Sequence, residues 1–284
     1  VTSVNIPVSL STISGQTVMV DYAITAGTAT GGGVDYTLAS GTLIFTAGTT
    51  TQNIALTIVN DALDEANETI QITLSTPLNA TLGTNTDHTY TILDEDTTPT
   101  VAFNATSSSG LESVTAVTIP VSLSAASGQT VTVNYAVTGG TASGGGTDYT
   151  LAAGTLTFTP GTTTQNIAIT VVNDSLDEAD ETIQITLSSP NNATLGANTV
   201  HTYTILDDDG APTVAFNTAS SSGLESVTSV TLPVSLSVAS GQTITVDYAV
   251  TGGTATGGGV DYTLASGTLT FTAGTTTQNI AIMV

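Results

Sequence analysis

Asp207, Asp208 and Asp209 stand side by side in the stretch TILDDDGAPTVAF, in a chain of 284 residues that holds 23 Asp plus Glu and neither Lys nor Arg. Adjacent carboxylates repel, and no permanently cationic side chain exists to offset them. Such a cluster is tolerated where it is fully hydrated or where a cation from solution sits among the carboxylates. The net charge of −23 also leaves no basic surface, which excludes nucleic-acid binding driven by counterion release. Cysteine is absent, so disulfides, thiolate metal sites and thiol nucleophiles are excluded too.

The acids recur with a fixed period. VTSVNIPVSL at Val1 returns as VTAVTIPVSL at Val114 and VTSVTLPVSL at Val227, a constant offset of 113 residues. DYTLASGTL, DYTLAAGTL and DYTLASGTL begin at Asp35, Asp148 and Asp261 in the same register. A period this long gives each copy a core of its own, unlike the layers of a solenoid. The expected modules are residues 1–98, 99–211 and 212–284. Only the middle copy is whole: the first lacks the TVAFNATSSSGLES opening, and the third stops at Val284, the counterpart of Val171. The chain therefore reads as a window on a longer array.

Of the 23 acids, only Asp21, Asp87 and Asp247 lie outside four recurring segments. In the middle module these segments are Glu112 in SGLES, Asp148 in GTDYT, the run NDSLDEADE from Asn173 to Glu181, and Asp207 to Asp209. They must be positioned by strands. Val117, Ile119, Val121 and Leu123 alternate with polar residues, as do Val131 to Val137, Leu156 and Phe158, Ile167 to Val171, Ile183 to Leu187, and Tyr203 and Ile205. Period-two alternation marks half-buried strands. With VAF at Val101–Phe103 they make seven, labelled A to G, and no segment has helical spacing. The fold expected is all-β: tandem seven-stranded, immunoglobulin-like Greek-key sandwiches without Cys or Trp hallmarks.

In that topology Glu112 lies between A and B, Asp148 between C and D, the acidic run between E and F, and the aspartates end G. These four places share one pole. A dense set of hard oxygens there suits calcium, which takes six to eight oxygen ligands in irregular geometry, better than magnesium, which demands a tight octahedron. Zinc would call for His or Cys.

Taken in order, the GTDYT turn, the NDxxxExxE run and the DDD after a TYTI strand resemble the Calx-beta domain, across the whole chain. The resemblance implies calcium-binding sandwiches, as in sodium/calcium exchangers and in tandem arrays of large cell-surface proteins, bacterial ones among them. Carried across residue by residue, the implied ligands are Glu112, Asp148, Asp174, Glu178, Glu181, Asp207, Asp208 and Asp209 in the middle module. Asn173 departs from the pattern, because exchanger domains with high calcium occupancy carry Asp there. In the first module the matching residues are Asp35, Asp61, Glu65, Glu68, Asp94, Glu95 and Asp96, with Asn60 at the weakened position. In the third, Glu225 and Asp261 remain.

Other readings of these residues are weaker. An acidic surface adapted to salt would scatter carboxylates over the exposed strand faces, which are Thr and Ser instead. Paired carboxylates serve glycoside hydrolysis, but no pocket-lining aromatics accompany them, so no enzyme is expected. His88 and His201 read as ordinary strand residues, and the Asn-x-Ser/Thr matches arise cheaply in so Asn- and Thr-rich a chain. No run of eighteen apolar residues and no signal-peptide pattern occurs. The sequence points to a calcium-stiffened segment of an extracellular or cell-surface stalk, adhesin or filament. Its expected partners are the neighbouring modules, with self-association into fibres through lysine-free edges. The alternative is an adhesive or calcium-sensing module that recognises a receptor or glycan.

Overall fold

A computed structural model describes residues 2–284. The first module contributes β1 (Thr2–Ser9), β2 (Val18–Gly27), β3 (Tyr36–Thr37), β4 (Gly41–Phe45), β5 (Thr51–Ile58), β6 (Glu68–Leu78) and β7 (Asp87–Ile92). The middle module contributes β8 (Thr100–Phe103), β9 (Ser107–Leu111), β10 (Ala116–Leu123), β11 (Val131–Gly140) and β12 (Tyr149–Thr150). It continues with β13 (Gly154–Phe158), β14 (Thr164–Val171), β15 (Glu181–Asn191), β16 (Thr194–Leu195) and β17 (Val200–Leu206). The third holds β18 (Val214–Phe216), β19 (Ser229–Leu236), β20 (Ile244–Tyr248), β21 (Gly267–Phe271) and β22 (Thr277–Met283). No helix occurs among the described residues.

In the middle module two five-stranded sheets face each other, in the orders β12-β14-β10-β8-β16 and β13-β11-β15-β17-β9. Alternation decides which side chains meet between them. β15, for example, buries Ile183, Ile185 and Leu187 and turns Gln184 outward. Phe103, Phe158, Ile119, Ile167 and Ile183 fill the core, each worth about 1.5–3 kcal/mol of apolar burial. Each of the other two modules has a separate core, the first around Phe45, Leu56 and Ile72 and the third around Phe271, Leu236 and Ile280.

The seven strands expected are present, and three short ones accompany them. The opening strand A divides: β8 pairs antiparallel with β10 in one sheet, then the chain crosses and β9 runs parallel to β17 in the other. Pro120 marks where it leaves. Its carbonyl accepts from Asn104 N at 3.2 Å, and its ring nitrogen, on the same side, has no hydrogen to continue the ladder beyond Phe103. β9 reads SSSGL and has no apolar alternation, so periodicity could not reveal it. His201 anchors the crossing. It is 2% exposed, and its Nδ1 donates to Ala105 O at 2.8 Å while its Nε2 accepts from Ser108 Oγ at 2.8 Å. It is a buried peg and no ordinary strand residue.

The sequence given begins after the counterparts of β8 and β9 in the first module. There a cleft of about 460 Å³ runs past Ile6, Val8, Phe45, Ile72 and His88, where the middle module places Val101 and Phe103. Phe216, the third module's counterpart of Phe103, is 56% exposed; the sequence ends before the counterparts of β15 and β17 that would cover it.

Candidate metal centre

Four segments of the middle module meet at one end of its sandwich. The parallel pairing of β9 with β17 ends on a bond from Glu112 N to Leu206 O, 2.9 Å, which sets Glu112 beside Asp207. Gly145 and Gly146, at φ 79° and 95°, take left-handed conformations that suit glycine and turn the chain so that Asp148 N reaches Ser143 O at 3.0 Å. Asp148 Oδ2 in turn accepts from Ser143 N. In the acidic run, Asp174 Oδ1 accepts from Leu176 N at 2.8 Å, an Asx turn, and Asp180 Oδ1 accepts from Asp207 N at 3.2 Å. The last bond ties the run to the end of β17.

The result is an acidic nest. Glu112, Asp148, Asp174, Glu178, Glu181 and Asp207 line one small cavity, and oxygens of Glu112, Asp207 and Asp209 lie within 4.8 Å of one another. Glu112 Oε1, Asp207 Oδ1 and Asp209 Oδ2 are buried without any hydrogen-bond partner. The acids outside the nests contrast with this. Thr42 donates to Asp21 at 2.5 Å, Thr73 to Asp87 at 2.6 Å and Thr268 to Asp247 at 2.5 Å. Ordinary surface carboxylates here find hydroxyl donors, whereas those of the nest face one another.

The first module repeats part of the arrangement, without a counterpart of Glu112. Oxygens of Asp35, Glu65 and Glu68 lie within 4.8 Å of one another, in a cavity also lined by Asn60, Asp61, Asp94, Glu95 and Asp96. Asn67 Oδ1 accepts from Asp94 N at 2.9 Å, doing the work of Asp180.

Crowding and burial push the glutamates toward the protonated form. Burial first, then the Asp174 and Asp209 carboxylates, raise Glu112 to about 7. Burial and the Asp148 carboxylate do the same to Glu181, and burial and Asp35 to Glu68, both to about 7. Glu65 and Glu178 are raised by burial and by the aspartates around them, Asp61 first for Glu65 and Asp174 first for Glu178. A cation among these oxygens would reverse every one of those shifts. The donor set is oxygen only and irregular, with three of its buried oxygens unpartnered, and it fits a hard divalent cation.

Some expected ligands stand apart. Asp208 is exposed and accepts from Ser113 Oγ at 2.5 Å; its counterpart Glu95 is exposed too but lines the first module's cavity. Asn173 and Asn60 turn their amides onto the carbonyls of Asp174 and Asp61, at 3.2 and 3.3 Å. Glu225 and Asp261 are exposed and join no acidic group among the described residues; Asp261 Oδ2 accepts from Thr256 N at 2.6 Å. Two acids of the runs, Asp64 and Asp177, were not expected to act and prove to be buried at the module boundaries. Their only signal in the sequence is the repetition of Leu-Asp-Glu, one period apart.

The Calx-beta domain family model matches residues 1–96, 94–209 and 207–284. Among curated proteins, sodium/calcium exchanger 1 of Rattus norvegicus is 28% identical over 193 residues, covering 62% of this chain and 20% of the exchanger. The chain thus spans about a fifth of the length of that relative. Among solved structures, the apo-form Calx CBD1 domain is 30% identical and covers 40% of this chain and all of that one, with a TM-score of 0.38. The calcium binding domain CBD12 of CALX1.1 is 20% identical, covers 71% of this chain and 92% of its own, and has a TM-score of 0.34.

Proposed function

Because the chain belongs to the Calx-beta domain family along its whole length, we propose that the acidic nests of its first and middle modules take up calcium, and that filled nests stiffen the array. The observation that carries this reading is the set of buried, unpartnered oxygens of Glu112, Asp207 and Asp209. Buried polar atoms nearly always find partners, and in a chain without Lys or Arg these three carboxylate oxygens have a cation from solution or a shared proton to find, of which the cation prevails once the carboxyl groups are ionised.

Glu112, Asp148, Asp174, Glu178, Glu181, Asp207 and Asp209 would hold the ion in the middle module, and Asp35, Asp61, Glu65, Glu68, Asp94 and Asp96 in the first. Calcium supplies, when bound, the positive charge that this sequence lacks. The chain's own residues do the rest: Glu112 brings in the end of β9, Asp148 the glycine turn, Glu178 and Glu181 the acidic run, and the aspartates the end of β17. Tying four segments to one point adds stability that depends on metal. We place the protein outside the cell or on its surface, as a spacer in a stalk, adhesin or filament, where calcium fills even sites of about 10⁻⁴–10⁻³ M affinity. Near-identical copies suit spacing better than recognition of a distinct ligand. No catalytic role is proposed.

A second reading, calcium sensing, is favoured by the likeness to the sodium/calcium exchanger. It calls for affinity near 10⁻⁷–10⁻⁵ M and a large change of shape. Small-angle scattering of the chain with calcium and with chelator tests the stiffening. Calcium is expected to narrow the range of dimensions and raise the melting temperature; identical scattering and melting in both conditions would remove the proposal.

A further inference from the structure

Asp64 and Asp177 come one residue before Glu65 and Glu178, in the Leu-Asp-Glu corners of the first and middle modules. Neither lines its module's acidic cavity. Each is instead buried, at 6% and 9% exposure, against a Ser-Gly-Gln turn of the following module. At the first junction Ser127 Oγ donates to Asp64 O at 3.0 Å and Oδ2 at 3.3 Å, Gly128 N donates to Asp64 O at 3.1 Å, and Gln129 Nε2 to Oδ2 at 3.3 Å. At the second, Ser240 Oγ donates to Asp177 O and Oδ2, both at 3.0 Å, and Gly241 N to Asp177 O at 3.1 Å. Two boundaries a full period apart therefore share the serine and glycine bonds, and the Gln129 Nε2 bond belongs to the first alone.

The first module carries the same turn. In the first module Gln16 N donates to Ser14 Oγ at 3.0 Å, as Gln129 N does to Ser127 Oγ at 3.0 Å, but Ser14 Oγ turns back onto Gln16 O at 3.0 Å. The glycine explains itself in the same way. A Cβ on Gly128 would sit 2.5 Å from Glu65 Oε1, and one on Gly241 2.5 Å from Glu178 Oε1, whereas one on Gly15 would meet nothing within 4 Å. None of the three has the positive φ that would demand glycine. The space is kept for a glutamate of the preceding module's nest.

We infer that the Ser-Gly-Gln turn is a docking surface for the Leu-Asp-Glu corner of another module, and that Asp64 and Asp177 are positioning residues that hand the state of the nest to the next module through Glu65 and Glu178. The docking stands on the contacts alone; the coupling rests on the calcium reading. The junctions are graded: Thr98 Oγ1 adds a bond to Asp64 Oδ1 at 3.1 Å, and Ala211 stands in its place at the second junction.

The full chain, free of cysteine, accepts spin labels at Ala47→Cys and Thr157→Cys, exposed positions on the first and middle modules. With calcium, the distance distribution of this background is expected to be narrow, and that of Asp64→Ala wide, with Asp64→Asn between them. Because the coupling is reciprocal, calcium affinity by calorimetry should fall in Asp64→Ala by the factor by which calcium favours docking, and an unchanged affinity beside a widened distribution would overturn the coupling. Gly128→Ala should widen the distribution and weaken calcium about fivefold or more, while Gly15→Ala does neither. An Asp64→Ala distribution as narrow as the background's would overturn the docking. A background equally narrow with calcium and with chelator would overturn the coupling. Absence of calcium heat in the background counts against the calcium reading alone, because the Asp64→Ala comparison in chelator still decides the docking.

Discussion

Glu112 and Asp209, at opposite ends of the middle module's sequence, bring carboxylate oxygens within 4.8 Å of each other with no donor on Glu112 Oε1 or Asp209 Oδ2. One follows β9 and the other follows β17, so the parallel pairing of those two strands is what brings them together. Without a cation the contact is a repulsion held in place by the rest of the fold; with one, it becomes a crosslink.

That double character gives Glu112→Gln opposite effects in two conditions. Removing a buried charge from among aspartates should raise the melting temperature in chelator. In calcium the same change removes a ligand, and affinity should fall about tenfold or more. Melting curves in chelator and in saturating calcium check both signs, and a variant destabilised equally in the two would mean that Glu112 serves packing only.

The raised glutamates fix a pH dependence. Glu68, Glu112 and Glu181 are held at about 7 in the folded chain against an ordinary 4.5. Between those values the folded state binds more protons than the unfolded one, so metal-free stability is full below about pH 4.5 and is lost as pH rises toward 7. Calcium must displace those protons. Apparent affinity should therefore climb over the same window and level off above it. Chelated samples melting at a constant temperature from pH 5 to pH 8 would contradict this.

Asn173→Asp and Asn60→Asp add a charge at the rim of each nest, where the amides now turn onto neighbouring carbonyls. Affinity should rise about five- to tenfold, and metal-free stability should drop from the added repulsion. Calorimetry on the double variant distinguishes this from an amide that plays no part, for which affinity would not move.

His201→Ala removes a buried ring that bonds to Ala105 and Ser108 and lies 5.4 Å from Phe103. The loss should be about 2–4 kcal/mol. Because His201 fastens the chain between β8 and β9, the amides of β9 should gain hydrogen exchange ahead of those of β14. Protection unchanged in β9 would show the strand to be held by its ladder alone.

Much of this was legible in the sequence because the physics is periodic. Alternation exposed the seven long strands with an apolar face, while two-residue β12 and β16 are too short to alternate; the repeat identified which acids return together, so the pole shared by Glu112, Asp148, Glu181 and Asp207 followed from topology. β9 was not legible, since Ser-Ser-Ser-Gly-Leu carries no face and its place depends on His201, a residue whose burial only the folded chain reveals. Asp64 and Asp177 were hidden differently. They sit inside runs of acids whose types are all alike, and only geometry separates the carboxylates that face the nest from those that face the next module. Asp208 shows the converse: three aspartates in a row suggest three ligands, but alternation along the extended chain sends the middle one to Ser113.

The most direct test of the account is a calorimetric calcium titration of the whole chain at neutral pH, repeated in buffers of different ionisation heat. Saturable binding at the first and middle nests is expected, with release of protons on binding and loss of the middle nest's share in a Glu112→Gln, Asp209→Asn variant. A titration with no saturable heat, or one that the double variant leaves unchanged, would contradict it.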